Sequence, residues 1–408
     1  MNPLIPITTA RLGEHLPLIE LIPNSQALSW VRRGEGLVGW GVHASTTVSG
    51  ANRFKQARDW WHQHLEQFSV TDTVHGTGTG PILFASFSFS ESDDSVLFIP
   101  EVVVGMRGGQ SWITWIGDLP QPRLASTAEP IAPPQLSWSN GTLTTELWQE
   151  RVSNAIARIQ DGSIEKVVLA RDLNGTADDE IDLRLVLRNL ESEYPSTWCF
   201  AVGGLVGATQ ELLLRLNRSM VTSRVLAGTI SRTGDDDKDL ALAASLARSS
   251  KDLEEHVYAV RSVADSLTPF CSSTNVPDSP FVLHLANVMH LATDVTGAIA
   301  ETSQHVDTFS ILEKLHPSAA VCGTPTATAA EVISELEGMS RGRYAGPVGW
   351  IDARGDGELG IALRCGQIDQ NQIKLFAGCG IVSGSDPIRE LAESQAKFTP
   401  MISALSRG

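Results

Sequence analysis

The chain has 408 residues, enough for two to three average domains or for one large α/β unit with a sizeable core. Its 31 basic against 47 acidic side chains leave a formal charge of -16, which repels polyanions and speaks against nucleic acid as a partner. The five cysteines (Cys199, Cys271, Cys322, Cys365, Cys379) are widely spaced, odd in number and without a C-x-x-C pair, so reduced thiols in a cytoplasmic protein are expected, with no zinc cluster or disulfide framework.

The opening "MNPLIPITTARLGEHLPLIELIP" has no basic start ahead of an apolar segment, and no run approaches the roughly 18 apolar residues of a membrane span, so no membrane association is expected. From Gly36 to Gly117, strand-like runs ("GLVGWGVHAS", "PILFASFSFS", "DSVLFIPEVVVGM", "QSWITWIG") alternate with one helical segment, "NRFKQARDWWHQHLEQF". A Pro- and Ser-rich stretch without periodicity follows, giving a division into a sheet-forming part over 1–117, a loop over 118–145 and a remaining part over 146–408. "ELWQERVSNAIARIQDG" then reads as an amphipathic helix ending at a glycine and leading into "IEKVVLARD". Strands are expected at about 197–206 and 212–226, and helices in "DDDKDLALAASLARSS", "KDLEEHVYAVRSVADSL" and "ATAAEVISELEG". A meander and a last helix from Pro387 complete a pattern that predicts α+β layering in place of repeated βαβ units.

Several motif matches fail on context. "GMSRG" has the spacing of a nucleophile elbow around Ser340, but here the helix precedes the turn, whereas the elbow needs a strand first. "GCGIVSG" lacks the third glycine and the downstream βαβ unit of a dinucleotide site. His62 and His64 of "HQH" fall on opposed helix faces.

Other sites keep a chemical reading beside a structural one. Lys166 opens an apolar strand and shares a face with Val168 and Ala170; Glu211 opens another in "TQELLLRL". Such a pair suits general acid/base chemistry, or serves as strand-end charges in water. Glu390, Glu393 and Lys397 share one face of the last helix, with Ile388, Leu391 and Phe398 on the other, which gives either a solvated stripe or a site beside the glycines of "AGCGIVSGSDP". "GIALRCG" sets Gly360, Ala362, Arg364 and Gly366 on one strand face, leaving space beside an arginine fork that suits a carboxylate or a structural ion pair. In "LEEHVYAV", Glu255 points away from the apolar stripe of Leu253, Val257, Val260, Ala264 and Leu267, toward water unless that face lines a cleft.

The ordered blocks "IEKVVLAR", "TQELLLR", "LAGT", "SKDLEEH", "MHLAT", "LHPSAAVCGTP", "RYAGPVGW", "IALRCG", "LFAGCGIV" and "ELAESQAK", over residues 145–405, resemble chorismate-utilising enzymes of the isochorismate synthase type. The resemblance implies a single large α/β fold of two packed, mainly antiparallel sheets surrounded by helices, with 1–117 intertwined into one domain with 146–408. It implies a magnesium ion held by Glu255 and Glu393, with Glu390 supporting. Arg364, Tyr344, Lys397 and the amides of Gly378 and Gly380 match positions that hold the substrate's carboxylates, and Gly228, Thr229, His290 and Ala320 match the ring pocket. Lys166 matches the base that deprotonates water attacking C2 of chorismate, and Glu211 the acid that protonates the departing C4 hydroxyl. Lysine at 166, where ammonia-using relatives carry glutamine, implies no glutaminase subunit, and Ala227 argues against aminodeoxychorismate formation. Salicylate synthases share both features. The expected product is isochorismate, for menaquinone or siderophore synthesis, made by a monomer; a non-catalytic chorismate binder is the contrasting class. Gln210, Ala319, Cys379 and Gln395 depart from the family's common residues.

Overall fold

The computed structural model describes residues 3–407 except 14–15, 24–25, 125–128, 131–134, 286–287 and 301–305. Among these residues there are eight α-helices: α1 (Arg53–Leu65), α2 (Thr145–Gln160), α3 (Leu183–Glu193), α4 (Asp236–Leu246), α5 (Ser250–Leu267), α6 (Thr308–Leu315), α7 (Thr326–Glu337) and α8 (Pro387–Ser406). Their starts follow local chemistry. Thr144 accepts from the Leu147 amide at α2, Ser249 from the Asp252 amide at α5, and Asp386 from the Ile388 and Arg389 amides at α8, where Pro387 needs no amide partner.

Two sheets carry the fold. The first runs, in spatial order, through strands Leu136–Asn140, Lys166–Ala177, Gln372–Ile381, Cys365–Asp369, Leu205–Thr209, Trp198–Val202, Leu28–Arg32, Glu35–Trp40, Val102–Arg107, Gln110–Ile116, Ile5–Leu12 and Phe68–Asp72. The second runs Cys271–Asn275, Val288–Ile299, Met220–Ser231, Leu212–Asn217, Gly357–Ile361, Pro347–Asp352, Ile82–Ser86, Ser95–Ile99 and Ala44–Val48. Pairing between described strands is antiparallel except where Ile5–Leu12 meets Phe68–Asp72. This is the two-sheet α+β architecture expected. The N-terminal third enters both sheets: Leu28–Arg32 pairs with Trp198–Val202, and Ile82–Ser86 with Pro347–Asp352.

Alternation along the strands builds two cores. Trp30, Phe200 and Leu169 of the first sheet join Phe84, Leu214 and Trp350 of the second in one apolar cluster. Their sequence neighbours Val31 and Ala201 face the other way, onto Val186, Leu187 and Leu190 of α3 and Phe398 and Met401 of α8. No helix among the described residues is long and apolar enough to cross a membrane.

Three expectations are corrected. The strands expected at 197–206 and 212–226 are both hairpins: Trp198–Val202 returns as Leu205–Thr209 through Gly203 and Gly204 at φ +57° and +79°, and Leu212–Asn217 returns as Met220–Ser231. The stretch 118–145 carries a strand, Leu136–Asn140, because it finds a partner in Leu173–Ala177; residues 125–128 and 131–134 lie outside the described residues. The buried stripe of α5 is His256, Ala259, Val263 and Leu267, and Val257 is half exposed, because the His256 ring finds buried partners in the Ala227 carbonyl and the Thr293 hydroxyl. On α8, which the sequence leaves open to two readings, Glu390 and Lys397 are buried, which rules out a solvated stripe; of the apolar residues placed opposite, Phe398 is buried and Ile388 faces solvent at 71% exposure.

Candidate active site

Lys166 begins its strand between two backbone partners, Thr324 on one side and the Gln372–Ile381 strand on the other. The register Val168↔Gly380 and Ala170↔Gly378 puts Lys166 on the face that also carries those glycines. Its side chain is fully buried, and its ammonium nitrogen lies 3.4 Å from Glu255 Oε1 with no hydrogen bond to it. Next to this pair is a narrow cavity lined by Glu211, Gly228, Thr229, Glu255, His290, Ala320, Tyr344, Arg364, Gly378, Gly380, Glu393 and Lys397, alongside Gln210 and Arg341. The structure therefore brings together every sequence-expected site residue except Lys166 and Glu390 on one wall. Those two stand behind it: Lys166 reaches the cavity through Glu255, and Glu390, in the first turn of α8, is buried against Lys251 of α5.

Each position has a local cause. At Gly228 the strand bulges with φ +80°, and a Cβ there would sit 2.9 Å from Asp252 Cβ, so only glycine permits the bend that presents Thr229 to the cavity. Thr229 Oγ1 lies 3.0 Å from His290 Nδ1, and Gln210 Nε2 lies 3.3 Å from His290 Nε2. Burial pushes His290 well below the usual histidine range, so this ring is a neutral part of the wall. Gly380 packs against the carboxylate of Glu255, where an added Cβ would meet Oε1 at 2.0 Å.

Arg364 differs from expectation. It does not continue a strand; it sits at φ +47° in the crossing from Gly357–Ile361 of the second sheet to Cys365–Asp369 of the first. The crossing is tied by the Ala345 and Ala208 amides, which donate to the Ala362 and Arg364 carbonyls. Arg364 thereby projects into the space between the sheets at the cavity.

Charge is concentrated here. Burial raises the Glu211 carboxyl to about 8 despite the opposing fields of Lys166 and Arg364, so at neutral pH it carries a proton it can donate. Lys397 donates to the Gly378 carbonyl at 2.7 Å and pairs with Glu393 Oε1 at 2.6 Å, which holds Glu393 below the usual carboxylate range. Tyr344 stacks on Phe376 with ring centres 5.1 Å apart, and burial pushes its hydroxyl up to about 12. Lys251 donates to Glu390 Oε1 at 2.8 Å and so ties α5 to α8, while Glu390 Oε2 is buried without a partner.

Two residues join the site that no motif reading singles out. Asp252 lies one turn before Glu255 on α5, and its carboxyl is raised by burial and by Glu255; the i, i+3 spacing is the signal that could have found it. Arg341 donates to the carbonyls of Val168 and Val321 and to Glu337, which in turn accepts from the Ala170 amide. It pins the Lys166 strand from behind. Ser340 sits in an exposed loop after α7 and bonds Asp93, which is no nucleophile geometry.

A divalent cation fits the donors. Ligand atoms of Cys379, Glu390 and Glu393 lie within 4.8 Å of one another, and Glu255 faces them from α5 across Gly380. Burial pushes the Cys379 thiol well above its ordinary range, so it stays protonated against the Glu390 carbonyl. The available donors are carboxylate oxygens, the set that a hard cation takes.

The family of chorismate binding enzymes matches residues 22–406. The chain is 32% identical over 407 residues to isochorismate synthase MenF of Bacillus subtilis, covering 90% of this chain and 85% of that protein. It is 32% identical over 329 residues to isochorismate synthase EntC of Escherichia coli, covering 79% and 80% respectively. The solved structure of MenF, the menaquinone-specific isochorismate synthase from Escherichia coli, shares the fold with a TM-score of 0.81 at 21% identity, covering 99% of this chain and 95% of that one. A family match over nearly the whole length, on a fold that gathers the motif residues into one cavity, shows that the chain belongs to the chorismate binding enzymes.

Proposed function

We propose that the protein is an isochorismate synthase, converting chorismate to isochorismate by adding water at C2 and releasing the C4 hydroxyl. The observation that carries this reading is the pairing of a fully buried lysine at position 166 with a protonated buried acid at position 211, beside a cavity bearing cations for carboxylates. Arg364 and Lys397 supply positive charge for the substrate's two carboxylates, and the amides of Gly378 and Gly380 add donors along the same edge. Thr229, His290 and Ala320 shape the ring pocket, with the Tyr344 hydroxyl beside Gly378.

Glu255 and Glu393, supported by Glu390, would hold magnesium, which when bound supplies a Lewis-acid charge for the ring carboxylate. Lys166 accepts the proton of the attacking water as the C2–O bond forms, the ring double bond shifts, the C4–O bond breaks, and Glu211 gives its proton to the leaving oxygen. Water comes from solvent, so the reaction needs no glutaminase subunit, and a monomer suffices because one chain supplies every group named. Five unpaired thiols suit a cytoplasmic setting. The product's use in menaquinone or in siderophore synthesis is our inference; of the relatives described above, one is named for menaquinone and the others for isochorismate synthesis alone.

Incubating the purified protein with chorismate and magnesium and separating the products by chromatography tests the reading. Isochorismate supports it. Salicylate with pyruvate would assign the salicylate synthase reaction, and unchanged chorismate would leave a binder of the same fold.

A further inference from the structure

Gln210 stands where the chain leaves the first sheet for the second, between Leu205–Thr209 and Leu212–Asn217. The crossing is held on both sides. The Glu211 amide donates to Thr209 Oγ1 at 3.3 Å, and the Ile361 amide donates to the Glu211 carbonyl at 3.1 Å. Thr229 and His290 are direct cross-strand partners, so their side chains share the face that lines the cavity with Gln210. Gln210 and His290 are buried, at 4% and 3% exposure, and Thr229 is half-buried.

These three side chains form one relay of hydrogen bonds. Burial, together with the fields of Arg364 and Lys397, keeps the His290 ring neutral, so one ring nitrogen carries a hydrogen and the other a lone pair. The Gln210 amide nitrogen, 3.3 Å from Nε2, can only donate, which assigns the lone pair to Nε2. Nδ1 then carries the hydrogen and donates to Thr229 Oγ1 at 3.0 Å.

The direction of the last bond decides what the cavity offers a ligand. With the ring as donor, the hydroxyl hydrogen of Thr229 is not spent on His290, and among the described residues Thr229 Oγ1 has no other partner. That hydrogen is left for an oxygen that enters the cavity. The reverse tautomer would set two N–H groups head to head at Gln210 and turn the Thr229 hydroxyl back onto Nδ1.

We propose that Gln210 is a positioning residue for the reaction: its amide fixes His290 with the hydrogen on Nδ1, which makes the Thr229 hydroxyl a donor to a ring-borne oxygen of the substrate. The identity of that substrate rests on the isochorismate synthase reading.

The test reads the ring nitrogens of His290 by ¹⁵N NMR in the full-length protein labelled at histidine, with the signal assigned by its loss in His290→Asn. The unmodified protein should show a neutral ring protonated at Nδ1. Gln210→Met, close in volume and without a donor, should move the ring toward the form protonated at Nε2. It should also weaken chorismate binding about threefold to tenfold by calorimetry, the loss of one neutral hydrogen bond. In a Thr229→Val background the same substitution should cost nothing further, because the hydroxyl it acts through is gone. A ring protonated at Nε2 in the unmodified protein, or ring signals unmoved by Gln210→Met, would overturn the assignment. Equal losses in both backgrounds would overturn it too, by showing that Gln210 shapes the pocket without acting through Thr229. A protein that binds no chorismate would end the isochorismate synthase reading, and with it the donor role of Thr229, while the ring signals alone still decide the role of Gln210.

Discussion

Lys166 Nζ and Glu255 Oε1 stand 3.4 Å apart, so the proposed base and a proposed cation ligand share one buried electrostatic unit. A change at either is felt at both, which gives the site its first prediction. Lys166→Gln preserves length and polarity but cannot take a proton from water, so kcat should fall by on the order of 10²–10⁴. Chorismate should still bind, because Arg364 and Lys397 are untouched. Steady-state kinetics with a binding titration checks this; a near-normal kcat would remove Lys166 from its role.

Glu211 sets the pH behaviour. Its folded carboxyl is raised from 4.5 to about 8, so it acts as an acid only below that value, and kcat/KM should decline above about pH 8. Stability has the same sign. Between the two values the unfolded chain binds fewer protons than the folded one, so unfolding free energy should fall with rising pH by up to about 1.4 kcal/mol per unit and level off above about 8. Glu211→Gln should lose turnover and flatten that slope, as read by urea unfolding across pH.

Gly380→Ala tests the placing of Glu255. A Cβ there meets Glu255 Oε1 at 2.0 Å, and the carboxylate, as the free end of a flexible side chain, can move away. The fold should survive with little change in Tm, while magnesium affinity drops about tenfold, the effect of losing one well-placed ligand or its support. Unchanged affinity, measured by calorimetry, would mean that Glu255 is not a ligand.

Arg341→Ala should be costly to the fold. The Arg341–Glu337 pair is almost fully buried at 2% and 1% side-chain exposure, and Arg341 also caps the Val168 and Val321 carbonyls. Leaving Glu337 charged and alone should destabilise by about 3–5 kcal/mol, seen as a lower urea midpoint. Glu337→Gln should be milder, since an amide can keep the Ala170 and Arg341 contacts in part.

The alternation of apolar residues made the α+β layering legible, while the two packed sheets and the cavity wall came with the resemblance that the ordered motifs carry. What the pattern could not show was which polar residues have partners. His256 lies at the edge of the apolar stripe expected on α5, and the Ala227 carbonyl and Thr293 hydroxyl of distant strands bond its ring, which centres the buried face on His256 and puts Glu255 at the cavity. Glu390 and Lys397 read as either a solvated stripe or part of a site, and only Lys251 and the Gly378 carbonyl, from distant elements, supply the contacts that decide it. Arg364 reads as mid-strand because nothing local marks the crossing between two sheets. Arg341 is similar: its importance lies in long-range burial and bonds to Val168 and Val321, which spacing along a chain does not encode.

The central claim, that solvent water attacks C2 with Lys166 as its base, is tested most directly by running the reaction in ¹⁸O-labelled water and reading the product by mass spectrometry. The account predicts isochorismate carrying one heavy oxygen, at C2, and almost none formed by Lys166→Gln. Isochorismate without the label, formed by internal transfer of the C4 hydroxyl, would contradict it.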